Sequence, residues 1–236
     1  MRPSILNFGS CNIDHVYTVD EFVNPGETLS SKTYQAFPGG KGLNQSIAIS
    51  EAGGSCSHVG RVGRDGEWLK DLLTSLEVNT DFLTVSTEAT GHAIIQINQE
   101  GENAIITHGG ANHTMTQSEI DFALERTRDT DFVLIQNELK NVSYIIERAK
   151  KKGLQVAFNA APINKGVEDY PLDSLDLLFL NKIEAEQLSG KTETADMIRA
   201  LSKKFPETKL VITLGRAGSI YHFKGETLQQ AAIEVA

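Results

Sequence analysis

Residues 131–159 read DFVLIQNELKNVSYIIERAKKKGLQVAFN. The run DFVLIQ is an inner strand, residues 141–152 form a helix, and LQVAFN is a second inner strand. The same rhythm surrounds it. A helix is expected over 116–128, LDLLFLN leads into helices over 182–204, and KLVITLG and GSIYHF follow as strands. Strands that are apolar along their whole length, alternating with helices, call for a parallel sheet covered on both faces. The fold class read from this stretch is α/β.

Working outward toward residue 1, SILNFGS at 4–10 suits a buried first strand, closed by Gly-Ser. The next segments, HVYTVDEF and TLSSKTYQAF, alternate in polarity and flank the turn NPGE, as strands with one wet face do. Leu43, Ile47, Ala48 and Ala52 recur at helical spacing over 42–53, before Gly53 and Gly54. SCSHVGRVG reads as another inner strand, and 65–77 as a helix carrying Trp68, Leu69, Leu72, Leu73 and Leu76. DFLTVS follows, then HAIIQINQ and NAIITH, a hairpin around EGE. No internal repeat, low-complexity tract or interdomain linker is visible. The expectation is one α/β domain over 1–236, with 13–38 and 91–107 forming a small β outgrowth.

Bulk properties narrow the function. Apolar residues make up 40% and charged residues 22% of the chain, the composition of a soluble globular protein. The formal net charge of −9 opposes binding to nucleic acid. No apolar stretch is long enough to span a membrane or serve as a signal peptide, so a cytoplasmic protein is expected. Cys11 and Cys56 are too few for a disulfide framework or a zinc pattern, and read as small buried apolar residues. His15, His58, His92, His108, His113 and His222 show no metal-ligand spacing and read as structural.

Ligands of doubly wound sheets bind at the carboxyl ends of strands. The polar residues there are Asn12 and Asp14; Gln136, Asn137 and Glu138; Asn159; Asn181 and Glu184; and Thr213 with Gly215. Each is an ordinary loop residue alone. Together, with the segment FPGGKGLNQS at 37–46, they describe a cleft able to bind hydroxyls and a hydrated metal. The glycine-rich segment is neither a Walker A loop nor a dinucleotide fingerprint, since neither pattern occurs at the required place. Ser10 and Ser46 lack the context of a hydrolase nucleophile.

GSCNIDHVY, NPGET, FPGGKGLNQSIAISEAGG, VGRVGRDGEW, ENAIITHGGAN, NELK, LNKIEAEQLSG and VITLGRAGS occur in that order. Together they resemble the ribokinase-like (PfkB) carbohydrate kinase family, and within it the ribokinase type, from residue 4 onward. The resemblance implies a three-layer α/β core with a mostly parallel central sheet and a small β-sheet lid over the sugar. It implies an ATP-dependent sugar kinase with ribose favoured, Mg2+ accompanying ATP, a monovalent cation in the complete enzyme, and a homodimer formed through the lid. It assigns Asn12, Asp14, Gly40, Lys41, Gly42, Asn44 and Glu138 to the sugar. Asn181, Thr213, Gly215 and Gly218 would meet the nucleotide, and Glu184 the metal through water.

The family's second signature, D-T-x-G-A-G-D, supplies the aspartate that takes the hydroxyl proton. No G-A-G-D occurs in these 236 residues. The expected catalytic Asp would lie beyond residue 236, so inefficient turnover by these residues alone is expected. The alternatives are a non-catalytic sugar-binding or dimerisation module, and a fragment without independent function.

Overall fold

The computed structural model describes residues 4–127, 132–163 and 166–234. The chain divides into two compact units, one of 7–116 with 138–140, the other of 1–6, 117–137 and 141–236.

The unit built on 7–116 contains the end of β1 (Ser4–Phe8), β2 (Asn12–Thr18), β3 (Thr33–Gly39), α1 (Lys41–Glu51), β4 (Ser55–Gly63), α2 (Glu67–Ser75), β5 (Asn79–Ser86), β6 (Gly91–Ile97) and β7 (Asn103–His108). β4 runs parallel to β5 in the order β1-β4-β5. Leu43 of α1 and Leu69 and Leu73 of α2 join Cys56, Val62 and Leu83 in one buried cluster. Each fully buried aliphatic chain contributes about 1.5–3 kcal/mol. Of the residues read at helical spacing, Leu43, Leu69 and Leu73 are buried, while Ala48, Ala52 and Trp68 are exposed.

A separate sheet of four strands has the order β3-β2-β6-β7. β2 pairs antiparallel with β3 and parallel with β6, and β6 pairs antiparallel with β7. The β6–β7 turn is the expected hairpin. Its loop is held by the Asn98 side-chain oxygen, which accepts from the amides of Glu100 at 3.1 Å and Glu102 at 2.9 Å. Tyr34, Phe37, Ile94, Ile105 and Ile106 of this sheet are all exposed, Ile106 at 67%.

The other unit holds α3 (Gln117–Glu125), β8 (Phe132–Gln136), α4 (Val142–Lys151), β9 (Gln155–Asn159), β10 (Leu177–Asn181), α5 (Lys182–Ser189), α6 (Thr194–Lys204), β11 (Lys209–Thr213), β12 (Ser219–Phe223) and β13 (Glu226–Gln230). β8, β9, β10 and β11 are parallel neighbours in chain order, while β12 and β13 add antiparallel strands at the edge. α4 buries Val142, Ile145, Ile146 and Ala149, a stripe of period 3.6. The expected α/β class is therefore the observed one, a large, mostly parallel sheet with helices and a smaller separate sheet. β13 was not expected. ETLQQ has one apolar residue and is exposed throughout, so neither hydrophobic pattern marks it. It is set by the turn Lys224-Gly225, both at positive φ (46° and 87°), as a tight hairpin turn requires.

Candidate functional site

The first cluster lies within the unit of 7–116 and 138–140. Gly39, Gly40 and Gly42 bring the end of β3 and the start of α1 against the β1–β2 connection. Gly40 sits at φ +93°, a conformation costly for any residue with a Cβ, and a Cβ there would stand 2.8 Å from the Ser10 carbonyl oxygen. At Gly42 a Cβ would stand 2.2 Å from the Gly9 Cα and 2.3 Å from the Ser10 nitrogen. At Gly39 it would strike the Asp14 carboxyl group at 2.3 Å. The glycines flanking Lys41 thus allow backbone to meet backbone and leave room for one carboxylate.

Lys41 opens α1. Its ammonium lies 3.0 Å from Glu138 Oε1, and its amide donates to Glu138 Oε2 at 3.0 Å. The Ser10 hydroxyl donates to the same Oε2 and itself accepts the Gly42 amide at 3.2 Å. One carboxylate from NELK therefore ties together the helix start and the β1–β2 connection. Asp14 is half-buried. Burial, then the nearby Glu138 charge, raise its carboxyl above the usual range, against smaller opposing effects of His15 and Lys41. Asn12 Oδ1 accepts from Asn112 Nδ2 at 2.8 Å, and Asn112 also bonds the Cys11 amide and carbonyl. Asn44, one turn along α1 from Lys41, is exposed. Strand register places Phe37, Ala93 and Thr107 in one row with Asp14.

Two residues of this cluster lie in segments that carry the resemblance, GSCNIDHVY and ENAIITHGGAN, but were given no role there. Ser10, set aside as a nucleophile, is the hydrogen-bonding link between Gly42 and Glu138. Asn112 is buried and orients Asn12.

The second set lies within the other unit. Asn181 and Thr213 end β10 and β11 as register partners. Asn181 caps α5: its Oδ1 accepts the Glu184 amide at 2.9 Å, while Glu184 accepts from the Asn181 amide and Nδ2, both at 2.8 Å. This is a reciprocal capping box, so the N-x-x-E spacing has a local structural cause. Glu184 is only 6% exposed, with both carboxylate oxygens engaged. Replacing Asn181 by Ala is expected to cost about 1 kcal/mol of stability by losing the cap, measurable by urea unfolding. Gly215 (φ +58°) and Gly218 form the turn after β11, and Gly218 lies against the Gln230 carbonyl at the end of β13. Asn137 is structural, donating to the Pro162 carbonyl at 2.6 Å and accepting from the Tyr170 hydroxyl at 3.0 Å. Asn159 Oδ1 accepts from the Ala161 amide.

Cys11 and Cys56 are buried, and burial pushes both thiols up, as inert small residues behave. Among the described residues, no group of three or more His, Cys, Asp or Glu could hold a metal ion, and no helix is long and apolar enough to cross a membrane.

Residues 2–235 match the family model described as pfkB family carbohydrate kinase. Ribokinase of Haemophilus influenzae is 35% identical over 238 residues, covering 96% of this chain and 77% of that protein. Ribokinase of Staphylococcus aureus is 32% identical over 245 residues, covering 100% of this chain and 80% of that one. The structure of Arabidopsis thaliana ribokinase complexed with ribose and ATP aligns with a TM-score of 0.87 at 30% identity, covering 100% of this chain and 80% of that chain. The chain, matched along nearly its whole length, belongs to the pfkB family of carbohydrate kinases.

Proposed function

We propose that this protein is an ATP-dependent sugar kinase of ribokinase type, transferring the γ-phosphoryl group of ATP to a hydroxyl of ribose or a closely related sugar. The carrying observation is the cluster of Lys41, Glu138, Ser10 and Asp14 around the glycine-lined start of α1. Two carboxylates and an amide at fixed positions suit a polyol, because each accepts or donates along set directions. Asp14 carries a charge disfavoured by burial and by Glu138, and a donated sugar hydroxyl would offset that cost. Asn12, Gly40, Gly42 and Asn44 complete the sugar set. The Arabidopsis relative solved with ribose and ATP supports this choice of ligands.

Asn181, Thr213, Gly215 and Gly218 are assigned to the nucleotide, with backbone N–H groups and the Thr213 hydroxyl meeting phosphate oxygens. Glu184 would hold Mg2+ through water. Its engaged oxygens and the lack of a carboxylate cluster among the described residues fit an ion that arrives on ATP and keeps its waters. Bound there, the ion would neutralise charge on the phosphates. A monovalent cation belongs to the same proposal. The protein's own part is positioning and electrostatic support, with water excluded by the four-stranded sheet acting as a lid. That sheet's exposed Ile105, Ile106 and Tyr34 favour lid-to-lid pairing in a homodimer. A cytoplasmic location suits a kinase that draws on cellular ATP.

These 236 residues contain no G-A-G-D segment, and no carboxylate among them is assigned as the base for the sugar hydroxyl. A polypeptide of these residues alone is therefore expected to bind sugar without efficient turnover. The test is a thermal melt with Mg2+, alone and with ribose, ATP or both, followed by an ADP-release assay on the same sample. A ribose-dependent rise in Tm is expected, because a ligand bound only by the folded state stabilises it. A rise without ADP release supports a sugar-binding role for these residues. Ribose-dependent ADP release would show that they contain a base. No rise with any pentose would overturn the sugar assignment.

A further inference from the structure

Behind the glycine-lined turn lies a polar network that the sugar contacts do not explain. His58 of β4, Ser46 of α1 and Asn7 of β1 are each 0% exposed. His58 Nε2 lies 3.1 Å from the Gly9 carbonyl oxygen, which can only accept, so Nε2 carries the hydrogen and Nδ1 is the acceptor. The Cys11 sulfur lies 3.3 Å from the same Nε2. The Ser46 hydroxyl then donates to His58 Nδ1 at 2.8 Å and accepts from Asn7 Nδ2 at 2.8 Å. The second Asn7 Nδ2 hydrogen goes to the Gly42 carbonyl at 2.8 Å. On the other side of that residue, the Gly42 amide donates to Ser10 Oγ and Ser10 donates to Glu138. The Gly9 and Gly42 carbonyls, which can only accept, set the direction of the path from His58 through Ser46 and Asn7.

We infer that His58 is a positioning residue for the sugar-binding end of α1, acting through Ser46, Asn7 and Gly42 on Lys41 and its partner Glu138. The proposal rests on the sugar-kinase reading for its consequence in binding, while the ordering of the helix start stands apart from it. The N-cap residue of α1, Gly40, has no side chain to cap the helix, and the Lys41 and Gly42 amides are met instead by Glu138 and Ser10. The network holds the same segment from behind: Ser46 is gripped five residues into α1, and the Gly42 carbonyl in its first turn. The imidazole fits because Gly9 and Gly60 leave space, a Cβ at either standing 2.9 Å from the ring. Burial lowers the His58 pKa to about 4, against a smaller opposing effect of the Gly9 carbonyl, so the imidazole is neutral at physiological pH.

The experiment compares wild type, His58→Leu and His58→Asn in the 236-residue chain, reading ribose affinity by calorimetry and amide hydrogen exchange at residues 41–43. Asn places an acceptor near the position of Nδ1 and restores the bond from Ser46, while Leu removes it. His58→Leu is expected to weaken ribose binding about tenfold, as expected for a buried hydroxyl left without its acceptor. It should also speed exchange at 41–43 selectively over β5, and His58→Asn should recover most of both. Unchanged affinity and unchanged exchange in His58→Leu would overturn the proposal, as would faster exchange spread evenly over the unit. If wild type binds no ribose, the sugar assignment fails, and exchange alone decides the role of His58. Should His58→Leu not fold, Ser46→Ala breaks the same path and takes its place.

Discussion

Replacing Gly42 by Ala is expected to destabilise the protein by about 3 kcal/mol and to abolish sugar binding. The new methyl carbon would enter the space of the Gly9 Cα and the Ser10 nitrogen, which are backbone atoms and cannot rotate aside. The contact is relieved only if α1 moves off the β1–β2 connection. That movement breaks the Gly42-to-Ser10 and Lys41-to-Glu138 hydrogen bonds. Gly26→Ala is the control. Gly26 also has a positive φ, +85°, but no atom lies within 4 Å of its added Cβ. Strain alone predicts a loss of about 1 kcal/mol there, with sugar binding kept. Urea unfolding and calorimetry on both variants measure the difference, and equal losses would show that the close approach at Gly42 is not what constrains it.

Acid is expected to weaken the fold through His58. Its folded pKa of about 4 lies below the ordinary value of 6.5, so the unfolded chain takes up the proton first. The stabilisation is complete above about pH 6.5 and is lost as pH falls toward 4. Its size is on the order of 3 kcal/mol. Asp14 acts in the opposite sense, since its raised carboxyl pKa lets the folded state bind a proton before the unfolded one. The titratable groups bonded directly to His58 and Ser46 are the thiols of Cys11 and Cys56, both pushed up by burial and so protonated throughout this range, while Glu138 and Lys41 stand at the far end of the path. His58→Asn cannot titrate. Unfolding free energies measured at several values between pH 4 and 7 should therefore fall less steeply in that variant than in wild type. Equal slopes would remove His58 from the acid response.

The alternation of apolar strands with helices made the large sheet readable, because strands buried on both faces leave an unbroken apolar record. β8 to β11 were placed from FVLIQ, QVAFN, LLFLN and KLVIT, the segments with that record. β13 left none, because its pairing rests on backbone bonds and a two-residue turn. The candidate site was legible where a motif concentrates it, as in FPGGKGLNQS and NELK. Ser10, Asn112 and the His58 network stayed hidden because their partners are far apart in sequence. Asn112 bonds Cys11 across 101 positions, and His58 bonds Gly9 across 49. Only the fold brings such pairs together. The histidine at position 58 was read as structural, and its place behind the glycine turn is visible only in the fold.

Glu138 is remote in sequence from the unit it completes, 97 positions after Lys41. The ribosome makes Asn12, Asp14 and the whole glycine turn long before the carboxylate that joins them. While residues 1–116 emerge, Lys41 and Ser10 have no Glu138 to bond, and the helix start must wait in a half-assembled condition. Synthesis of β8 therefore precedes the closing bond of a cluster whose other members belong to the first half of the chain. The order of translation makes NELK the last fastening of that site, and a chain cut before residue 138 would retain the glycines without the contact that organises them.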